Sequence, residues 1–112
     1  MRKQIQFAIA GAALLTLAAC GQAVPDDKAA YVGEWRASNM SLQITKDGSV
    51  HYKRVDGNST KSIDAPLRRF EGDNFVVGIP FLSSTFQVSK PPHQEGGAWK
   101  MTVDGVELTR AS

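Results

Sequence analysis

"AWKMTVDGVELTR", residues 98–110, decides the fold class. Its apolar side chains recur at every second position on both sides of Asp104-Gly105, the period of a half-buried strand and not of a helix. A two-residue aspartate-glycine turn pairs Val103 with Val106 and Met101 with Leu108, and brings Trp99 to Arg110. Lys100, Thr102, Glu107 and Thr109 then point outward, so the segment predicts an antiparallel hairpin with one apolar face.

The same period runs back through the chain. In "MSLQITKDGSVHYKR" (40–54), a three-residue loop at Lys46-Asp47-Gly48 sets Ile44 opposite Val50 and Leu42 opposite Tyr52. A two-residue turn at Asp47-Gly48 would set them opposite His51 and Lys53. Keeping apolar opposite apolar selects the first register, with Gly48 in the left-handed position of a bulge. Asp56-Gly57 marks the next turn, before "NSTKSIDAPLRRF", and Gly72-Asp73-Asn74 another, before "FVVGI". Pro80 ends that strand because it cannot donate to a ladder. Phe81-Leu82 forms either an exposed loop or a strand end packed on the core. In "STFQVSK" (84–90), Ser84, Phe86 and Val88 share one face. "PPHQEGG" (91–97), with breakers at both ends, is predicted to be a loop. Together these segments predict an all-β domain over residues 31–112. It is a small antiparallel meander of about eight short strands, a closed or nearly closed barrel.

The first thirty residues have another character. Arg2 and Lys3 precede a run, Phe7 to Ala19, that carries no charge and is rich in Ala and Leu. A spanning helix needs about 20 apolar residues, so this run is short for one and reads as an export signal over 1–19. The only cysteine, Cys20, follows at once. Leu17-Ala18-Ala19-Cys20 resembles the lipobox of bacterial lipoproteins. That resemblance implies cleavage before Cys20, a diacylglyceryl group on its sulfur and an N-acyl group on its new amine. It implies no other cofactor. It also implies that the chain is held at a membrane through this anchor. Gly21, standing where an aspartate favours inner-membrane retention, points to the periplasmic leaflet of the outer membrane. An ordinary cleavage site at Gly21-Gln22-Ala23 is the alternative, and it would release a soluble domain. Residues 20–30, with Pro25, Asp26 and Asp27 and no apolar period, are predicted to be a flexible tether.

Composition sets further bounds. The formal charge of +2 comes from Arg2 and Lys3; residues 20–112 hold eleven basic and eleven acidic side chains. A neutral domain lacks the basic excess that neutralises phosphates, which argues against nucleic acid as a partner. With Cys20 acylated no disulfide is possible, and stability rests on an apolar core.

A second resemblance opens the domain. Gly33-Glu34-Trp35 is similar to the Gly-x-Trp of lipocalin-like barrels, where the tryptophan plugs one end and a basic side chain packs over it. Arg110 lies where that side chain would come from. A barrel of so few residues fills its interior with its own side chains. The chain as a whole also resembles small lipoproteins of Gram-negative bacteria, a likeness that implies no activity.

Candidates for chemistry are sparse. His51 lies mid-strand on the outward face and His93 in the Pro-rich segment. The most His93 and Glu95 supply is two of the three protein ligands a catalytic zinc needs, so no metal site is expected. No Gly-x-Ser-x-Gly and no glycine-rich phosphate loop occurs. Arg54, Arg68 and Arg69, with Tyr52, either form a candidate anion site at a barrel mouth or cover an apolar rim with their stems. The expectation is a non-enzymatic, envelope-facing lipoprotein that binds or supports an envelope component, with an envelope protein as its partner. The alternatives are an enzyme inhibitor, for which "PPHQEGG" is the only long loop, and a carrier of a small apolar or anionic ligand.

Overall fold

The computed structural model describes residues 21–111. The expected export signal over 1–19, Leu17-Ala18-Ala19 and Cys20 lie outside the described residues. Nine strands follow a short 3₁₀ helix at Asp26–Tyr31: β1 Gly33–Arg36, β2 Met40–Ile44, β3 Ser49–Asp56, β4 Ser59–Glu71, β5 Asn74–Ile79, β6 Leu82–Phe86, β7 Val88–Glu95, β8 Ala98–Val103 and β9 Val106–Arg110. All pairings are antiparallel. The order across the sheet is β6-β5-β4-β3-β2-β1-β9-β8-β7. The domain is an all-β antiparallel meander curved into an open barrel. Among the described residues no helix is long and apolar enough to cross a membrane.

Register follows the apolar alternation. In β2–β3, Ile44 faces Val50 and Leu42 faces Tyr52, so the three-residue loop is the one adopted. Gly48 sits there at φ +95°, which only glycine adopts without strain. In β8–β9, Met101 faces Leu108 and Val103 faces Val106. The β3–β4 turn is one residue later than expected: Asp56 pairs with Ser59, leaving Gly57-Asn58 as the turn.

Two strands bend to make a barrel from a ribbon. β4 pairs with β3 up to Pro66 and with β5 from Leu67. Its register with β5 slips between Leu67 and Arg69, so Arg68 is the extra residue of a bulge. The two margins of the sheet, β6 and β7, are consecutive in the chain and joined only by Gln87. Phe86 still pairs with Phe75 of β5, and Val88 already pairs with Val103 of β8. Side chains fix that corner. The Gln87 N–H donates to Asp104 Oδ1 at 2.9 Å, and Asp104 N–H donates back to the Gln87 carbonyl at 2.8 Å. Asn74 Oδ1 accepts from Val88 N–H at 2.7 Å.

The predicted loop at 91–97 is corrected. Pro91 to Glu95 belong to β7, and only Gly96-Gly97 turns. Proline lacks a donor, but β7 is an edge strand and both of its prolines fall in the register shift between Lys90 and His93. Over its described residues, 21–30, the expected tether is packed on the domain. Gln22 N–H donates to the Leu67 carbonyl and Val24 N–H to the Lys46 carbonyl, both at 3.0 Å, and Val24 is buried. The chain there satisfies carbonyls left over by the β4 bend and the β2–β3 loop.

The core is one cluster built around Trp35, Leu42, Ile44, Val50, Phe75 and Leu108. Phe75 stacks on Phe86 with ring centres 4.9 Å apart, and Tyr52 meets Phe86 edge-on at 4.9 Å. Phe86 therefore carries both the packing and the corner. Asp104 holds φ +47° at this corner while bonding Gln87. Replacing Asp104 with Ala removes that acceptor and leaves a β-carbon in a left-handed conformation, a loss of about 1–2 kcal/mol. Urea denaturation is expected to show this for Asp104→Ala and much less for Asp104→Asn, which keeps an oxygen acceptor and tolerates the backbone. Equal losses would show that the side-chain bond contributes nothing.

Candidate functional site

The plugged end of the barrel is built from the chain's own beginning. Pro25 leads into the 3₁₀ helix, whose last residue, Tyr31, is buried against Phe70 and Phe75 with ring centres 4.9 and 6.3 Å away. Its hydroxyl donates to the Asp73 carbonyl at 2.8 Å. Lys28 Nζ donates to the Gly72 carbonyl at 2.9 Å and rides over the Tyr31 and Phe70 rings. The helix is thus clamped to the β4–β5 turn. Gly33 opens β1 directly behind it, opposite Ile44.

Trp35 is fully buried under this helix, and its indole N–H donates to the Tyr31 carbonyl at 2.9 Å. β1 and β9 place Arg110 opposite Trp35. The Arg110 Cζ lies 5.6 Å from the Trp35 ring centre and 4.8 Å from that of Trp99, and Nη1 donates to the Ala30 carbonyl at 3.3 Å. One guanidinium therefore ties both ends of the meander and the helix together. Trp99, named in the sequence only as a cross-strand neighbour of Arg110, belongs to the same closure.

The structure brings only two of the candidate anion residues together. Tyr52 is buried in the core, and Arg54, two residues on along the same face of β3, interacts with its side chain. Arg54 also lies 3.3 Å from the Asp56 carboxylate and 3.5 Å from the Asp104 carbonyl. Arg54 pairs with Lys61, seven residues before Arg68 on β4, which at about 3.3 Å per residue separates the two arginines by roughly 20 Å. Arg69 is committed to Glu71 at 2.8 Å. The adjacent arginines suggested a cluster, but the long β4 spreads these charges along its length.

The histidines face solvent. His51 Nδ1 lies 2.8 Å from the Asp64 carboxylate across β3–β4. His93 contacts the Pro91 carbonyl at 2.9 Å and Glu95 at 3.2 Å, and these acceptors hold its protonated form above the ordinary histidine range. Among the described residues no three His, Cys, Asp or Glu side chains gather as metal ligands.

The interior is filled, and the spaces that remain are open grooves. One of about 430 Å³ opens where the β5–β6 hairpin splays from the first half of β4, between Ile63, Ala65, Val77, Ile79 and Leu82. A second groove, of about 420 Å³, is lined by Gly21, Gln22, Pro66, Arg68, Ile79 and Pro80. Phe81 and Leu82, at the hairpin tip, are 86% and 71% exposed, so they are not a strand end packed on the core. The packing of Gly21 had no signal in the sequence, because it depends on the bend of β4.

Comparison with known protein families, curated proteins and solved structures finds no match to this chain.

Two outcomes follow from the plugged end. Arg110→Ala is expected to cost about 0.5–2 kcal/mol in urea denaturation through the lost indole contacts, and Arg110→Lys to recover only part of that, since a compact ammonium cannot lie flat between two rings. Burial, and then the charge of Asp73, pushes the Tyr31 hydroxyl from 10.0 up to about 12. The fold accepts only the neutral phenol. Stability is therefore full below pH 10 and falls as pH rises toward 12, because there the unfolded chain releases a proton that the folded chain keeps. Thermal melts across that window should lose this slope in Tyr31→Phe; an unchanged slope would assign alkaline unfolding to another group.

Proposed function

We propose that this chain is an exported lipoprotein whose β domain serves as a non-enzymatic binding or structural module facing the periplasm. In this reading Cys20 becomes the first residue, carries a diacylglyceryl group on sulfur and an acyl group on nitrogen, and anchors the domain to the inner leaflet of the outer membrane. Its partner is an envelope protein or another envelope component.

One observation carries the reading: the chain's only thiol stands between an uncharged run ending in Leu17-Ala18-Ala19 and the domain that begins at Gly21. An unpaired thiol in an exported protein is a liability unless it is used. Each buried methylene contributes about 0.8 kcal/mol, so two or three acyl chains hold where one would not. The alternatives have less support. The segment that an inhibitor would have used as a long loop is strand β7, and the barrel interior that a carrier would have needed is occupied by Trp35, Phe75 and their neighbours.

Intact-mass measurement on the chain purified from its host's membranes tests the proposal. The expected species starts at residue 20 and carries the added mass of the acyl groups, and Cys20→Ala yields no acylated species and no cleavage at that bond. A wild-type chain retaining Met1, or a free thiol at residue 20, would overturn it.

A further inference from the structure

We infer that the tip of the β5–β6 hairpin, Ile79 to Leu82, is a membrane-contacting element, and that the domain lies with this end on the phospholipid surface holding its anchor. The inference rests on the lipid-anchor reading of Cys20 and deepens it, because it gives the domain one orientation at the bilayer.

The first observation is the patch. Phe81, Leu82 and Ile79 are 86%, 71% and 40% exposed, and they account for all but one of the large exposed apolar side chains among the described residues. Single exposed apolar residues need no explanation, but three together at a hairpin tip do. The apolar groove from Ile63 and Ala65 to Leu82 extends the patch along β4.

The second observation is where the chain enters. Gly21 shares a groove with Ile79 and Pro80. It holds φ +77°, and a β-carbon there would come within 2.7 Å of Pro66 Cβ, 2.8 Å of the Gly48 carbonyl oxygen and 2.9 Å of the Leu67 carbonyl oxygen. Only glycine fits, and the Gln22 bond to Leu67 holds the next residue in place. Consecutive Cα atoms are about 3.8 Å apart, so with Gly21 fixed in this groove an anchor on Cys20 would have no spacer between itself and the domain. Acyl chains attached there enter the bilayer next to Phe81 and Leu82.

Charge agrees with this placement. Arg68, the bulge residue of β4, lines the shared groove. None of the salt bridges among the described residues uses it. A guanidinium in the groove that also holds Ile79 and Pro80 suits the phosphate layer of a membrane. A protein partner covering the same hairpin would not require the anchor to emerge beside it.

The test uses the acylated full-length product in vesicles of phosphatidylethanolamine and phosphatidylglycerol, with brominated lipid as quencher. Phe81→Trp is expected to add emission that is blue-shifted and quenched by the bromines. Asn58→Trp, in the β3–β4 turn at the other end of β4, is expected to add emission that is not quenched. Leu82→Trp provides a second reporter if Phe81→Trp loses the far-ultraviolet signature of the wild-type sheet. If neither hairpin reporter is quenched more than the Asn58→Trp reporter on protein whose mass carries the acyl groups, the hairpin stays in water and the inference is overturned while the anchor stands. If the mass shows no acyl groups, the anchor reading fails and the orientation falls with it.

Discussion

The bend at Gln87 is the constraint on which the rest of the structure depends. A meander of nine strands has two margins, and here they are successive stretches of one chain. Phe86 remains bonded to β5 while Val88 is already bonded to β8, so the covalent backbone draws the sheet into a curve. Asp104 and Asn74 supply the partners that a sharp corner removes from the ladder. With the margins held together, the inward faces of β2, β3, β5 and β8 can bury Leu42, Val50, Phe75 and Met101 in one cluster. Away from the corner the margins must diverge, because β6 and β7 run on as pairs of different neighbours. The switch of β4 from β3 to β5 at Pro66 and Leu67 leaves the β5–β6 hairpin projecting past the first half of β4, with the apolar groove between them.

The plugged end uses a different economy of contacts. The 3₁₀ helix has too few residues to be stable alone, so its order comes from the groups that receive it. Tyr31 and Lys28 both bond the β4–β5 turn and pack against the Phe70 ring, while the Ala30 carbonyl accepts from Arg110. Trp35 sits below them, and Arg110 lies between its indole and that of Trp99. Strands from the start and end of the domain therefore meet over one buried ring, and the segment after residue 20 becomes part of the domain. A lipid on Cys20 would then act on a rigid body rather than through a loose leash.

Alternation was the most legible signal. The registers of β2–β3 and β8–β9 follow from keeping apolar residues opposite one another, since a slip of one residue would expose the whole core face. Trp35 and Arg110 were legible as a pair only through the resemblance of Gly33-Glu34-Trp35 to the Gly-x-Trp of lipocalin-like barrels. The Pro-rich segment differs from the expected loop because a strand accepts proline at a margin, as in β7, or at a bend, as at Pro66 of β4, and where margins and bends fall is a property of the whole sheet. The placing of the arginines was beyond local pattern for a related reason. Arg68 and Arg69 are neighbours in sequence, but the length of β4 sets how far each lies from Arg54, and the bulge turns Arg68 toward the groove shared with Gly21.

By itself the sequence determined the period, the turns and the identity of the core-facing side chains, because these depend on a residue and its near neighbours. It also determined the character of the first twenty residues, two basic side chains followed by an uncharged run that ends at a lone cysteine. Only the tertiary structure decided that residues 22–31 dock, that β6 and β7 share a corner, and that Gly21 lies beside Ile79 and Pro80. Each of these depends on where β4 and the β6–β7 strand bend. Such bends are set by bonds between residues far apart in the chain, and no local pattern records them.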